Sequence, residues 1–166
     1  MKTLVHFVHG KESGPWGIKI TYLADIASAN DCDVESLDYS GMDNPRDRAD
    51  ELVAVCASEH RPLILVGSSM GGWVVTAASN HVGPLGLFLL APAFYVPGYP
   101  DVAPVYPPTH IEIVHGWRDE VIPYAHSVQF GLQHACAVHL VDDDHRLGGS
   151  LEMIGGYFKV FLERVT

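Results

Sequence analysis

The chain is short of positive charge, short of cysteine, and without any long apolar run. It carries 10 Lys and Arg against 20 Asp and Glu, a formal net charge of −10 with histidine neutral. That balance argues against nucleic acid or an anionic membrane as a partner and says little about a neutral small molecule. The three cysteines, Cys32, Cys56 and Cys136, are odd in number and widely spaced, with no Cys-x-x-Cys pair. They read as reduced thiols of a cytoplasmic protein rather than a disulfide framework. No cysteine cluster and no His-x-x-x-His pattern points to a metal. No apolar stretch approaches the roughly 20 residues that a membrane-spanning helix needs. The opening Met1 to Val8 resembles a signal peptide only briefly. It turns polar at His9-Gly10-Lys11-Glu12 and has no small-residue cleavage site, so the expected location is the cytoplasm. Internal repeats, low-complexity tracts and linkers are also missing, and 166 residues suit one domain with one sizeable core.

What is present is an alternation of short β-rich runs and longer helical patterns. Strands are expected at Thr3 to Val8, Val34 to Leu37, Leu63 to Val66, Leu85 to Leu90, Ile111 to His115 and Ala137 to Val141. Helices are expected at Trp16 to Ala29, Pro45 to Glu59, Met70 to Asn80, Tyr124 to Gln133 and Leu151 to Arg164. Asn44 suits an N-cap, with Pro45 in the first turn. The alternation predicts an α/β fold, a parallel sheet wrapped by helices on both faces. One long irregular segment, Ala91 to Thr109, holds six prolines and the aromatics Phe94, Tyr95, Tyr99 and Tyr106. A loop of that length in a compact domain is usually functional, and it reads as one wall of a substrate mouth.

The stretch with most chemical content is Val66-Gly67-Ser68-Ser69-Met70-Gly71-Gly72, between an expected strand and an expected helix. Strand, Gly-x-Ser-x-Gly, helix is the context of a nucleophile elbow. The turn is so tight that side chains two positions either side of the serine would clash, and Gly67 and Gly71 carry no Cβ. Centring the motif on Ser68 would need glycine where Val66 and Met70 stand, so Ser69 is the candidate nucleophile.

A serine hydroxyl needs a neighbouring base, and the base needs an orienting acid. Chain order serine, acid, histidine points to Ser69, Asp119 and His145. Asp119 and His145 each follow an expected strand, where a parallel sheet places its active site. Asp142, Asp143 and Asp144 adjoin His145, but sequence neighbours rarely achieve the required geometry. Two backbone donors should face the developing oxyanion: the N–H of Met70 and that of Lys11, in the loop His9-Gly10-Lys11-Glu12-Ser13-Gly14. Trp16, Tyr95 and Trp117 are candidate substrate contacts, although aromatics at loop bases also serve packing.

On these residues the chain resembles the α/β-hydrolase superfamily. The likeness runs nearly the whole length. It rests on His9-Gly10, Gly67-Ser68-Ser69-Met70-Gly71-Gly72, Gly116-Trp117-Arg118-Asp119 with Val121-Ile122-Pro123, and Asp144-His145. Within it the chain looks most like small, cap-less bacterial esterases and thioesterases of the YqiA-like kind. Those also follow a His-Gly loop with a short Ser/Gly segment and a helix, here Ser13 to Lys19. The resemblance implies a three-layer α/β/α sandwich whose six parallel strands run in the order 2-1-3-4-5-6. It also implies that the chain starts at the superfamily's third strand and has no cap between Leu90 and Ile111. The cleft should be shallow, with selectivity set by Lys11 to Gly17, Ala91 to Thr109 and the Trp117-Arg118 turn. The implied activity is cofactor-free hydrolysis of carboxylic esters through an acyl-enzyme. Acyl-thioester hydrolysis, including protein deacylation, is the nearest alternative, and a non-catalytic binding module is the alternative of another class.

Overall fold

The computed structural model describes residues 1–101 and 110–166. In chain order the elements are β1 (Leu4–Val8), α1 (Ile18–Ala29), β2 (Asp33–Ser36), α2 (Pro45–Cys56), β3 (Leu63–Ser68), α3 (Met70–Val82), β4 (Gly86–Leu90), β5 (His110–Gly116), α4 (Tyr124–His134), β6 (Ala137–Val141) and α5 (Leu151–Val165). A single 3-10 turn, Gly148–Ser150, leads into α5.

The strands form one six-stranded sheet in the order β2-β1-β3-β4-β5-β6. Every pairing is parallel. Strands β1, β3 and β4 are buried at every position, as continuous apolar runs require when both faces are covered. One face packs Leu65, Leu87, Leu89 and Ile113 against Leu52 of α2, Trp73, Val74 and Val75 of α3, and Phe130 of α4. The other packs Phe7, Val66, Phe88 and Val114 against Leu23 and Ala27 of α1 and Phe158 and Phe161 of α5. Each fully buried Leu or Phe contributes about 1.5–3 kcal/mol to that core. The result is the expected three-layer arrangement, with no cap among the described residues.

Every element boundary but the end of α2 falls within two residues of the sequence expectation, and the differences have local causes. Helix α1 begins at Ile18 because Gly17, in extended backbone, is its N-cap, which leaves Trp16 outside the helix. Helix α2 starts as expected, with the Asn44 side chain accepting from the Arg46 N–H. It ends at Cys56, short of Glu59, because the Glu59 carboxylate turns back to accept from the His60 and Arg61 N–H groups and the Arg61 guanidinium. Strand β3 runs two residues further, to Ser68, so the sheet reaches the turn itself.

Register sets the working edge. Val8 pairs with Gly67, Ser68 with Leu90, Leu90 with Val114, and Gly116 with Val141. The carboxyl ends of the five strands therefore lie along one line, and the order reverses between β1 and β3, where α/β sheets open a crevice. The described part of the proline-rich segment packs back on α3. The Trp73 indole N–H donates to the Pro100 carbonyl, and its ring meets Tyr99 edge-on. Pro104, Tyr106, Pro107 and Pro108 lie outside the described residues.

Candidate active site

The turn from β3 to α3 leaves no room for side chains. A Cβ on Gly67 would lie 2.3 Å from the Gly71 carbonyl oxygen, and one on Gly71 would lie 2.0 Å from that of Val8. Ser69 sits at the apex with φ 54° and ψ −115°, a backbone conformation that L-residues avoid. Such strain costs about 1–3 kcal/mol and persists only where the surroundings impose it. Here they do: the Ser69 N–H donates to Leu90, and its carbonyl accepts from Gly72 and Ala93.

Ser69 Oγ lies 3.1 Å from His145 Nε2, and His145 Nδ1 lies 2.6 Å from Asp119 Oδ2. Three side chains drawn from different strand ends thus form one hydrogen-bonded chain. With a carboxylate as its partner, Nδ1 carries the ring proton, so Nε2 accepts from the serine hydroxyl. The Asp119 side chain is fully buried and its other oxygen accepts from the Val121 and Ile122 N–H groups. Burial alone would raise the Asp119 carboxyl. The Ile122 N–H, the His145 ring and the Val121 N–H outweigh it and hold the group below the ordinary carboxylate range.

The loops that carry this pair are locked together. Trp117 N–H donates to the Val141 carbonyl and Arg118 N–H to that of Asp143. Gly116 is needed there, since a Cβ would lie 2.3 Å from the Asp143 carbonyl oxygen. Sequence reasoning did not single out His115, the residue before that glycine. It is fully buried, and its Nε2–H is shared between Asp119 Oδ2 at 3.0 Å and the Ile122 carbonyl at 2.9 Å. Its Nδ1 then accepts from Ser127 Oγ at 2.7 Å. Burial pushes this ring below the ordinary imidazole range, so it is a neutral donor to Asp119. Burial pushes the Lys19 ammonium of α1 below the ordinary lysine range, against the opposing charges of Asp143, Asp144 and Asp119.

The loop after β1 faces the serine. A Cβ on Gly10 would lie 3.4 Å from Ser69 Cβ and 3.5 Å from the Ser68 carbonyl oxygen. Among the described residues no hydrogen bond takes up the N–H of Lys11 or of Met70. The His9 ring is buried and accepts from the Tyr39 N–H at Nε2, so Nδ1 donates to the Gly10 carbonyl at 2.7 Å. Behind it stands Arg48 of α2, also fully buried, which donates to the His9, Gly10 and Met42 carbonyls. Neither side chain's role is read from the motif, yet Arg48 left a trace in the sequence. It shares the buried stripe Pro45, Arg48, Ala49, Leu52 and Cys56, a charge on an apolar helix face.

The three candidate aromatic contacts are dispersed. Trp16 and Trp117 are exposed, and the Trp117 indole N–H donates to Asp142 Oδ1. The Tyr95 hydroxyl is bonded to Gln133, and its ring meets His126 edge-on. Tyr95 lines a cavity of about 310 Å³ with Asp101, Gln129, Phe130, Gln133 and His134, which contains none of Ser69, Asp119 and His145. No ring contact joins Trp16, Tyr95 and Trp117 among the described residues. Four other histidines are committed elsewhere: His110 and His139 to Glu112, His126 to the Phe94 carbonyl, and His134 to a stack on Phe130. No helix among the described residues is long and apolar enough to cross a membrane.

Residues 7–143 match the model of a family described as the alpha/beta hydrolase family. Among solved structures, an alpha/beta-superfamily protein from Xanthomonas campestris pv. campestris is 30% identical, with a TM-score of 0.88 over 97% of this chain and 98% of that one. Est1E from Butyrivibrio proteoclasticus is 19% identical, with a TM-score of 0.84 over 98% of this chain and 88% of its own. A serine hydrolase without a lid, from Xanthomonas campestris, is 19% identical, with a TM-score of 0.80 over 97% and 81%. No curated protein matches the sequence.

Proposed function

The chain belongs to the alpha/beta hydrolase family, and from that premise we propose that it is a serine hydrolase cleaving carboxylic esters of small or acyl substrates. The observation that carries the reading is the unbroken bond chain from Ser69 Oγ through His145 to Asp119 Oδ2. Ser69 Oγ attacks the ester carbonyl carbon while His145 Nε2 takes its proton. Asp119 holds the ring and balances the imidazolium. The N–H groups of Met70 and Lys11 stabilise the tetrahedral oxyanion. His145 then gives its proton to the departing alcohol, leaving an acyl-Ser69 ester. Water attacks that ester, with His145 as base, and the acid leaves as Ser69 regains its proton.

Exposed Trp16 and Trp117, on the loops after β1 and β5, are the proposed contacts for the acyl or alcohol group, with Tyr95 further along the edge. Three free thiols, Cys32, Cys56 and Cys136, fit a reducing compartment such as the cytoplasm. A thioester substrate is the second reading, favoured by the lack of a cap over the strand ends among the described residues. The test is a matched pair of oxygen ester and thioester with the same acyl group. Wild type should hydrolyse at least one, and Ser69→Ala should lose about 10⁴-fold or more in kcat. A kcat/KM far higher on the thioester moves the assignment to thioesterase. A folded wild type inert on both contradicts the enzyme reading and favours a binding module.

A further inference from the structure

Among the described residues Arg48 is the one fully buried cationic side chain, it stands behind the site, and the chemistry above does not use it. Its neighbours make the position unusual. No carboxylate lies within 4.0 Å of its guanidinium among the described residues, and the acids that act on it, Asp43 and Asp38, lie further away. A buried cation without a paired anion costs several kcal/mol unless something offsets it. Here the partners are main-chain carbonyls: Met42 at 2.7 Å from Nε, His9 at 2.9 Å and Gly10 at 3.4 Å from Nη1. The ring of Tyr39 supplies a fourth partner, 5.5 Å from the guanidinium carbon.

The Gly10 carbonyl belongs to the same peptide unit as the Lys11 N–H. In a trans peptide the two point in opposite directions. Pinning the oxygen from behind, by Arg48 and by His9 Nδ1–H, therefore turns the N–H forward, to the side where Gly10 packs against Ser69. We propose that Arg48 is a positioning residue of the oxyanion hole, gripping the Gly10–Lys11 peptide by its carbonyl so that the Lys11 N–H is aimed and polarised toward the oxyanion formed at Ser69. The inference rests on the acyl-transfer reading. Hydrogen bonds in series strengthen one another, so a cation on the carbonyl makes the amide a better donor at its far end. The missing counter-charge of Arg48 then arises in the transition state, when the oxyanion forms on the other side of that peptide. Preorganisation of this kind raises kcat and leaves ground-state binding alone.

The experiment compares wild type, Arg48→Lys and Arg48→Met, each checked for native circular dichroism. The readouts are ester kinetics and affinity for an alkyl boronic acid, which forms a tetrahedral adduct on the serine. In Arg48→Met, kcat should fall about 10- to 100-fold, less than the loss on removing a donor outright, with KM within threefold. Boronate affinity should fall in proportion, and Arg48→Lys, which keeps the charge without the fork, should lie between. Folded variants with unchanged kcat and boronate affinity overturn the proposal, as does a loss confined to KM. Should the variants not fold, wild type decides by ¹⁵N-edited NMR. Boronate binding should move both the Lys11 amide proton and the Arg48 Nη1 protons, and a Lys11 shift with Arg48 Nη1 unmoved overturns the coupling. Wild type that forms no boronate adduct contradicts the acyl-transfer reading itself, which is a separate outcome.

Discussion

Asp119 spends all of its acceptor capacity. Oδ1 takes the Val121 and Ile122 N–H groups, and Oδ2 takes one donor from each of two imidazoles, His145 and His115. In Asp119→Asn the amide oxygen keeps the two backbone donors, so the loop stays in place. The amide NH₂ then faces both rings and forces His145 to the wrong tautomer. The expected result is a fall in kcat of about 10⁴-fold, measured by ester kinetics, with a lower melting temperature because buried His115 loses its acceptor on Oδ2. A variant within tenfold of wild type would mean that another acid orients the ring. That Ser69, Asp119 and His145 lie within hydrogen-bond reach of one another was foreseeable from the sequence, because strand-end motifs bound the choice and chain order ranks it. His9, Arg48 and His115 were not, because their partners are backbone groups or buried side chains that only the tertiary fold brings near. Arg48 reaches the Gly10 carbonyl across 38 positions of sequence. A charge within a buried helical stripe was the one available sign.

At the scale of elements, the meeting of β5 and β6 sets the distance between the loops of Asp119 and His145. Gly116→Ala puts a methyl 2.3 Å from the Asp143 carbonyl oxygen and 2.7 Å from that of Asp144. Backbone must move, and it moves the loop that carries His145. We expect a loss of stability of about 1–3 kcal/mol in urea, together with a loss of kcat that persists where the variant is fully folded. The control is Gly156→Ala on the exposed side of α5, where a Cβ meets nothing within 4 Å. It should stabilise by about 0.5–1 kcal/mol through helix propensity and leave kcat alone. Periodicity and turn residues located the elements, since apolar runs such as Leu63 to Val66 can only be buried strands in this alternation. Their spatial order came from the family resemblance, because strand pairing between distant segments leaves no local pattern. The ends of α1 and α2 departed from expectation where one backbone cap and one carboxylate, Gly17 and Glu59, outweighed propensity.

For the whole molecule, stability should fall on the acid side of neutrality. His6, His9 and His115 are fully buried, and burial pushes all three below the ordinary imidazole value of 6.5. Below pH 6.5 the unfolded chain binds protons that the folded chain refuses, so stability drops from there down to the folded values. Each group contributes a slope of up to about 1.4 kcal/mol per pH unit. Asp119 acts in the same direction at lower pH, since its depressed carboxyl adds stability that is lost as it protonates. His6 isolates the effect, because among the described residues neither ring nitrogen has a hydrogen-bond partner, Glu35 lying 3.9 Å from Nδ1. His6→Leu should flatten the urea-derived stability profile between pH 7 and 5 by one group's slope, and an unchanged profile would refute that origin. The central claim, an activated serine in this fold, is tested most directly by intact-mass labelling with a fluorophosphonate probe. A single adduct on wild type that disappears in Ser69→Ala is the predicted result. A folded wild-type protein that takes up no probe, or an adduct that survives the substitution, would contradict it.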